Sequence, residues 1–181
     1  KSLFAAVTVV AVVLGAAMML VVPAMRQRSA VQSLEAKGVR VFYFEPSGGE
    51  STVVRTLRTY LPQDFFDSVQ EVKFGSDPLS DNDFRQLREF SHLQSVCFSY
   101  SGVADKNLAS VAGLDDLETL DLANTPITDA GMVHLKNLRR LRVLQLDETP
   151  VTDAGLSHVQ HLNQLTKLSL ARTQVSDAGL S

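Results

Sequence analysis

The apolar spacing L-x-x-L-x-L recurs every 24 residues through the second half of the chain, and no other feature restricts the fold as much. It reads Leu117, Leu120, Leu122, then Leu141, Leu144, Leu146, then Leu165, Leu168, Leu170. One period earlier stand Leu93, Val96 and Phe98, and two periods earlier Val69, Val72 and Phe74, so five copies share one register without insertion or deletion. A second element keeps the same period: SDNDF from Ser80, ADKNL from Ala104, TDAGM from Thr128, TDAGL from Thr152 and SDAGL from Ser176. A unit this short cannot cover its own apolar side. Neighbouring units must stack, with strands about 4.8 Å apart, and build one core between them.

A fixed period of about 20–29 residues with this leucine spacing is the signature of leucine-rich repeats. The expected fold class is therefore α/β: a solenoid with parallel strands on its concave face and short helical or 3-10 segments on its convex face, occupying residues 69–181 with the last copy incomplete. In each copy the strand ends in a turn, where Pro150 removes a donor and fixes φ. Thr152 or Asp153 then falls where a helix starts and can accept from its free N–H groups, so Asp129, Asp153 and Asp177 read as helix caps. Leu156, Val159 and Leu162 follow at intervals of three and face the core. Gly131, Gly155 and Gly179 allow either close packing or an unusual backbone angle. Eight positions after the first strand residue come Asp77, Ser101, Thr125, Thr149 and Thr173, short polar side chains expected to bond backbone groups of neighbouring coils as a turn ladder. A catalytic acid is not needed once per coil, so these repeated groups read as architecture.

The N-terminal part differs in kind. Leu3 to Val22 is a stretch of 20 residues without a charge, about the length that crosses a bilayer core as a helix. A cleaved signal is the competing reading, with Val22-Pro23-Ala24 as a small-residue site, but its apolar region should be nearer ~7–15 residues, which favours a retained anchor over residues 1–25. Arg26 and Arg28 on one flank and Lys1 on the other leave the orientation open, with a lean toward an extracytoplasmic repeat domain. Residues 26–68 read as a juxtamembrane helix, Arg26 to Lys37 stopped by Gly38, and then a cap. The cap comprises a strand GVRVFYF with Val39, Val41 and Tyr43 on one side, a loop PSGGEST, and a short helix around LPQDFFDSV. No such cap follows Ser181, as expected of a fragment or of a frayed last coil.

Three blocks carry a wider likeness: SLFAAVTVVAVVLG, AVQSLEAKGVRVFYF, and DFFDSVQEVKF leading into L-x-x-L-x-L-x-x-T-x-[IV]-[ST]-D-A-G-L repeats. With them the chain resembles the membrane-anchored leucine-rich-repeat proteins of planctomycete bacteria, over nearly its whole length. That family usually has a double glycine before the first strand, where this chain has Gly38-Val39. The resemblance implies architecture more than activity, because the family is mostly without assigned biochemical function.

Candidate sites follow from the fold. Side chains between the strand leucines point to the concave face, and just past each strand lie Ser76, Tyr100, Asn124, Glu148 and Arg172. A protein or peptide ligand is expected there, on Tyr100, Asp121, Asn124, Gln145, Asp147, Glu148, Lys167 and Arg172. From Val69 onward there are ten basic and fifteen acidic residues, which disfavours nucleic acid as a partner. The bilayer is met through residues 3–22. No metal or cofactor is expected: Cys97 is the only cysteine, and His134, His158 and His161 lie on the outer face without a completing ligand. Cys97 has no histidine in adjacent rows and reads as a small filler. The basic run Lys136, Arg139, Arg140, Arg142 reads as a solvated edge. The function expected is a membrane-anchored interaction or scaffolding module and not an enzyme; the alternative is the recognition fragment of a larger receptor, enzyme or F-box-like protein.

Overall fold

The computed structural model describes residues 22–43, 69–76, 79–90 and 92–180. Most of the expected anchor, the PSGGEST loop, the LPQDFFDSV helix and Asp77 lie outside these. Among the described residues no helix is long and apolar enough to cross a membrane.

Among the described residues, six strands form one sheet in chain order: β1 (Arg40–Tyr43), β2 (Val69–Lys73), β3 (Ser95–Cys97), β4 (Thr119–Asp121), β5 (Val143–Gln145) and β6 (Lys167–Ser169). β2 to β6 are parallel, and their register is the sequence period itself, with Glu71 opposite Ser95, Ser95 opposite Thr119, Thr119 opposite Val143 and Val143 opposite Lys167. Because the ladder advances one full coil per strand, equivalent residues of every copy form straight rows across the sheet. The coil's return path is helical at Asp81–Arg85, Asp129–Met132 and Asp153–Leu156, and 3-10 at Gln86–Glu89, Asp105–Ser110, Val133–Leu135 and Asp177–Leu180. Between sheet and helical segments runs one apolar core. The three apolar pattern residues of each of the first four copies are all at most 5% exposed, whereas Leu165, Leu168 and Leu170 of the last coil are only partly covered. Burying a leucine this way is worth about 1.5–3 kcal/mol. The first coils fill their share with aromatics: Phe74 stacks on Phe98 at 4.7 Å between ring centroids and on Phe84 at 5.6 Å.

The N-terminal edge of the solenoid is closed as the alternation in GVRVFYF predicts. Residues 22–35 are helical and bury Ala30, Val31 and Leu34. The helix ends in a Schellman turn, with Val39 N–H donating to Leu34 O at 3.2 Å and Gly38 N–H to Glu35 O at 3.0 Å. Gly38 takes φ 76°, which costs a side-chain-bearing residue about 1–2 kcal/mol. β1 then pairs antiparallel with β2, covering backbone groups that a free edge would expose. Lys37, in the same turn, binds both oxygens of the buried Asp83 at 2.6 Å and so ties the helix end to the first coil.

Candidate functional site

The repeated acid is an inter-coil clamp rather than a cap of its own helix, which corrects the expectation for Asp129 and Asp153. Asp105 Oδ1 accepts from Thr128 N–H at 2.8 Å and its Oδ2 from the Thr128 hydroxyl at 2.7 Å. Asp129 holds Thr152 in the same way, and Asp153 holds Ser176. The hydroxyl residue is the true N-cap: Thr128 and Thr152 accept from the N–H groups of Ala130 and Ala154, each at 3.2 Å. The acid sits one residue later, in the first helical turn, and points along the solenoid axis. The glycine is explained by the same contact. A Cβ placed on Gly131 would lie 2.5 Å from Asp105 Oδ1, and one on Gly155 would collide with Asp129 Oδ1. Close packing therefore requires these glycines, and neither has a positive φ. Bonds from Ser176 hold the Asp153 carboxyl below the ordinary carboxylate range. Asp177 occupies the equivalent position in the last coil.

The threonine ladder also bonds differently from its expectation. Thr125, Thr149 and Thr173 donate to Leu122 O, Leu146 O and Leu170 O, at 2.6, 2.6 and 2.8 Å. Each satisfies the strand-end carbonyl of its own coil, three residues back, because the turn folds the side chain inward before it can reach a neighbour.

On the concave face two rows cross the whole sheet. One runs Phe42, Glu71, Ser95, Thr119, Val143, Lys167, and the other Arg40, Lys73, Cys97, Asp121, Gln145, Ser169. β1 thus adds Arg40 and Phe42 to the surface, residues absent from the sequence-derived set although their alternation with Val39 and Val41 marks them. Lys73 Nζ lies 4.9 Å from the Phe42 ring centroid and 3.2 Å from Glu71.

Of the expected ligand-binding residues, several are engaged by the solenoid itself. Asp147 Oδ1 accepts from Ser169 Oγ at 2.7 Å and Ala171 N–H at 2.8 Å. Asp121 accepts from Ala123 N–H at 3.0 Å and from the Cys97 thiol at 3.4 Å. Glu148 pairs with Arg172 at 2.5 Å. Among the described residues, Tyr100, Asn124, Gln145 and Lys167 have side chains without such a partner, and they remain available.

Tyr100, Asn124, Glu148 and Arg172 share a property that sequence reading missed. All four adopt left-handed backbone, with φ of 59°, 55°, 57° and 57°. Their N–H groups take part in the rim: those of Tyr100, Asn124 and Glu148 donate to Ala123 O, Asp147 O and Ala171 O of the next coil. Asparagine tolerates this conformation, whereas Tyr, Glu and Arg are strained in it. The signal would have been an asparagine in register with the other three. Tyr100 is in addition 70% exposed.

The outer face is occupied as a solvated edge would be. Arg140 pairs with Asp116 and Arg142 with Glu118. His92 also bonds Asp116, and these two partners hold that carboxyl below its ordinary range. Among the described residues no group of three or more His, Cys, Asp or Glu could hold a metal ion.

Comparison with known proteins gives a match to the family described as Leucine Rich repeat over residues 116–136, one coil from β4 to the following 3-10 segment. No curated protein sequence matches the chain. Among solved structures, an internalin (InlF) from Listeria monocytogenes is similar at 23% identity, covering 54% of this chain and 28% of that one, with a TM-score of 0.48. The leucine-rich-repeat ectodomain of the receptor kinase SOBIR1 from Arabidopsis thaliana is similar at 14% identity, covering 83% and 96%, with a TM-score of 0.43. The PEPR1–AtPEP1 structure is similar at 16% identity, covering 81% of this chain and 24% of that one, also with a TM-score of 0.43. The chain thus spans about a quarter of the internalin and of the PEPR1 chain. The coil-per-strand register, the inward leucines and the match over residues 116–136 together make this a fold of the leucine-rich-repeat type.

Proposed function

We propose that the chain is a membrane-anchored leucine-rich-repeat protein of the planctomycete type that binds a protein or peptide on the concave face, and that it does no chemistry of its own. The observation that carries this reading is Tyr100: a large aromatic side chain at the rim, left 70% exposed, on the same face of the solenoid as the unengaged Asn124, Gln145 and Lys167. The left-handed turn recurs at Asn124, Glu148 and Arg172 and is architecture, but stability gives no reason to place an exposed tyrosine in it. Tyrosine supplies contact area at low entropic cost and is enriched at the energetic centres of interfaces. Asp121, Asp147 and Glu148 contribute shape and local field more than free charge, since each is bonded within the solenoid. The 20-residue apolar stretch before Pro23 supports the anchor, and placing the repeat domain outside the cytoplasm is part of the same proposal.

The test is affinity capture from the native cell, comparing the wild-type chain with Tyr100→Gly and Lys167→Glu, both of which leave the internal bonds intact. Partners enriched by the wild type and lost in folded variants are the expected outcome. Identical capture profiles would remove the concave rim as the site. Protease protection of tags at the two ends reads the membrane side.

A further inference from the structure

The convex side of the first two coils carries a cleft lined by basic side chains. Asp81, Arg85 and Arg88 form one wall and Lys106, Asn107 and Ser110 the other, around a volume of about 260 Å³. The walls are fixed to each other. Asp81 Oδ2 accepts from Lys106 Nζ and its Oδ1 from Asn107 Nδ2, both at 3.0 Å, and Arg88 Nη2 donates to Ala109 O at 2.8 Å. Three cations face one carboxylate whose oxygens are both already engaged, which leaves two positive charges in excess.

The floor is Ser110. It is 5% exposed, and its hydroxyl has no hydrogen-bond partner among the described residues. The hydroxyl oxygen itself opens to solvent in the cleft, since the buried unpaired side-chain atom among the described residues is Gln86 Oε1, and the Ser110 hydroxyl can donate to a bound anion. The same positions in later coils carry Val133 for Arg85 and Ala130 for Lys106, so the set is assembled once and is not a by-product of the repeat.

We propose that this cleft binds a free tetrahedral oxyanion of the phosphate or sulfate class, held by Arg85, Arg88 and Lys106 and seated on the Ser110 hydroxyl. The volume lies below the ~300–1,000 Å³ of organic-ligand pockets, and at roughly 30 Å³ per water it suits an oxyanion with a few waters. Two excess charges match a dianion, and guanidinium forks suit its oxygens. This site is independent of the concave rim and of the partner read there.

The experiment is calorimetric titration of the full chain with sodium phosphate, sodium sulfate and sodium chloride at matched ionic strength, alongside thermal unfolding. Saturable binding of phosphate or sulfate, with a raised unfolding temperature that chloride does not reproduce, is expected. Arg85→Gln weakens it about tenfold, as for one lost charge-assisted hydrogen bond. Ser110→Ala weakens it several-fold while leaving the anion-free unfolding temperature unchanged, which separates a ligand contact from a structural one. Equal effects of the three salts, or phosphate isotherms unchanged in both folded variants, would overturn the proposal. Tighter binding of a phosphorylated peptide than of phosphate would overturn the assignment to a free anion.

Discussion

The first two coils and the later ones hold adjacent turns together at the same register with different side chains. From the third coil on, each junction is an acid of one coil gripping the hydroxyl residue of the next across a glycine, as Asp105 does with Thr128 and Gly131. One period back from Gly131 stands Asn107, and two periods back Asp83. Ala104 has no hydroxyl to offer, so Asn107 supplies both halves of the junction: its Oδ1 accepts from Ala104 N–H, and its Nδ2 donates to Asp81. Asp83 caps its own turn through Ser80 and takes its partner, Lys37, from the N-terminal helix end. The lesson is that the junction is a requirement of stacking. A glycine is used where the acid of the preceding coil grips a hydroxyl residue, and a polar side chain where the hydroxyl (Ala104) or the preceding acid (at Asp83) is missing.

The comparison is most easily broken at the glycine. Gly155→Ala should cost about 3 kcal/mol, since its Cβ meets both Asp129 and Val151. Urea unfolding reads this, and the Asp129→Ala, Gly155→Ala pair should cost at least ~0.5 kcal/mol less than the sum of the single changes. Strict additivity would mean that the two residues are not in one junction. Next in size, Lys37→Ala and Asp83→Ala should each cost about 2 kcal/mol, less than a fully buried pair because Lys37 is 41% exposed. No change in the unfolding midpoint would show the N-terminal helix end to be untied from the first coil.

A pH series sharpens the same contrast. Burial pushes the Asp83 carboxyl up, but hydrogen bonds from Lys37 and Ser80 outweigh it and hold it below the ordinary range. A folded pKa below the unfolded value means stability that is present above about pH 4 and is lost as the pH falls through the folded pKa. Asp83→Asn should therefore flatten the acid limb of the stability curve below about pH 4 relative to wild type. An acid limb identical in the two would sink the assignment. Smallest of all is the rim: Tyr100→Gly relieves left-handed strain and should change stability by less than ~1 kcal/mol, in the stabilising direction. A clear loss of stability in that variant would show Tyr100 to be structural.

Much of the fold was legible because it is periodic. Five copies of the leucine spacing specify which residues face the core, and stacking at one coil per strand then sets the register without further information. The N-terminal strand was equally plain from its alternation, and the helix stop from Gly38. The site was less legible. Sequence reading placed Asp121, Asp147 and Glu148 on the concave face, but their hydrogen bonds connect residues separated by a coil. The left-handed row was hidden because three of its four members are residue types that rarely adopt that conformation. The anion cleft was hidden because its cations come from two coils and belong to no motif.

By itself, the sequence determined the solenoid, its direction, its core and, in the last three coils, the placement of one acid, one hydroxyl residue and one glycine each, since a 24-residue period leaves few other ways to bury the leucines. Only the tertiary structure decided that the acid of one coil serves the next and not itself. A carboxylate in the first helical turn can cap locally or reach along the axis, and the few ångströms between stacked coils, with no Cβ in the way, make the longer reach the better bonded one.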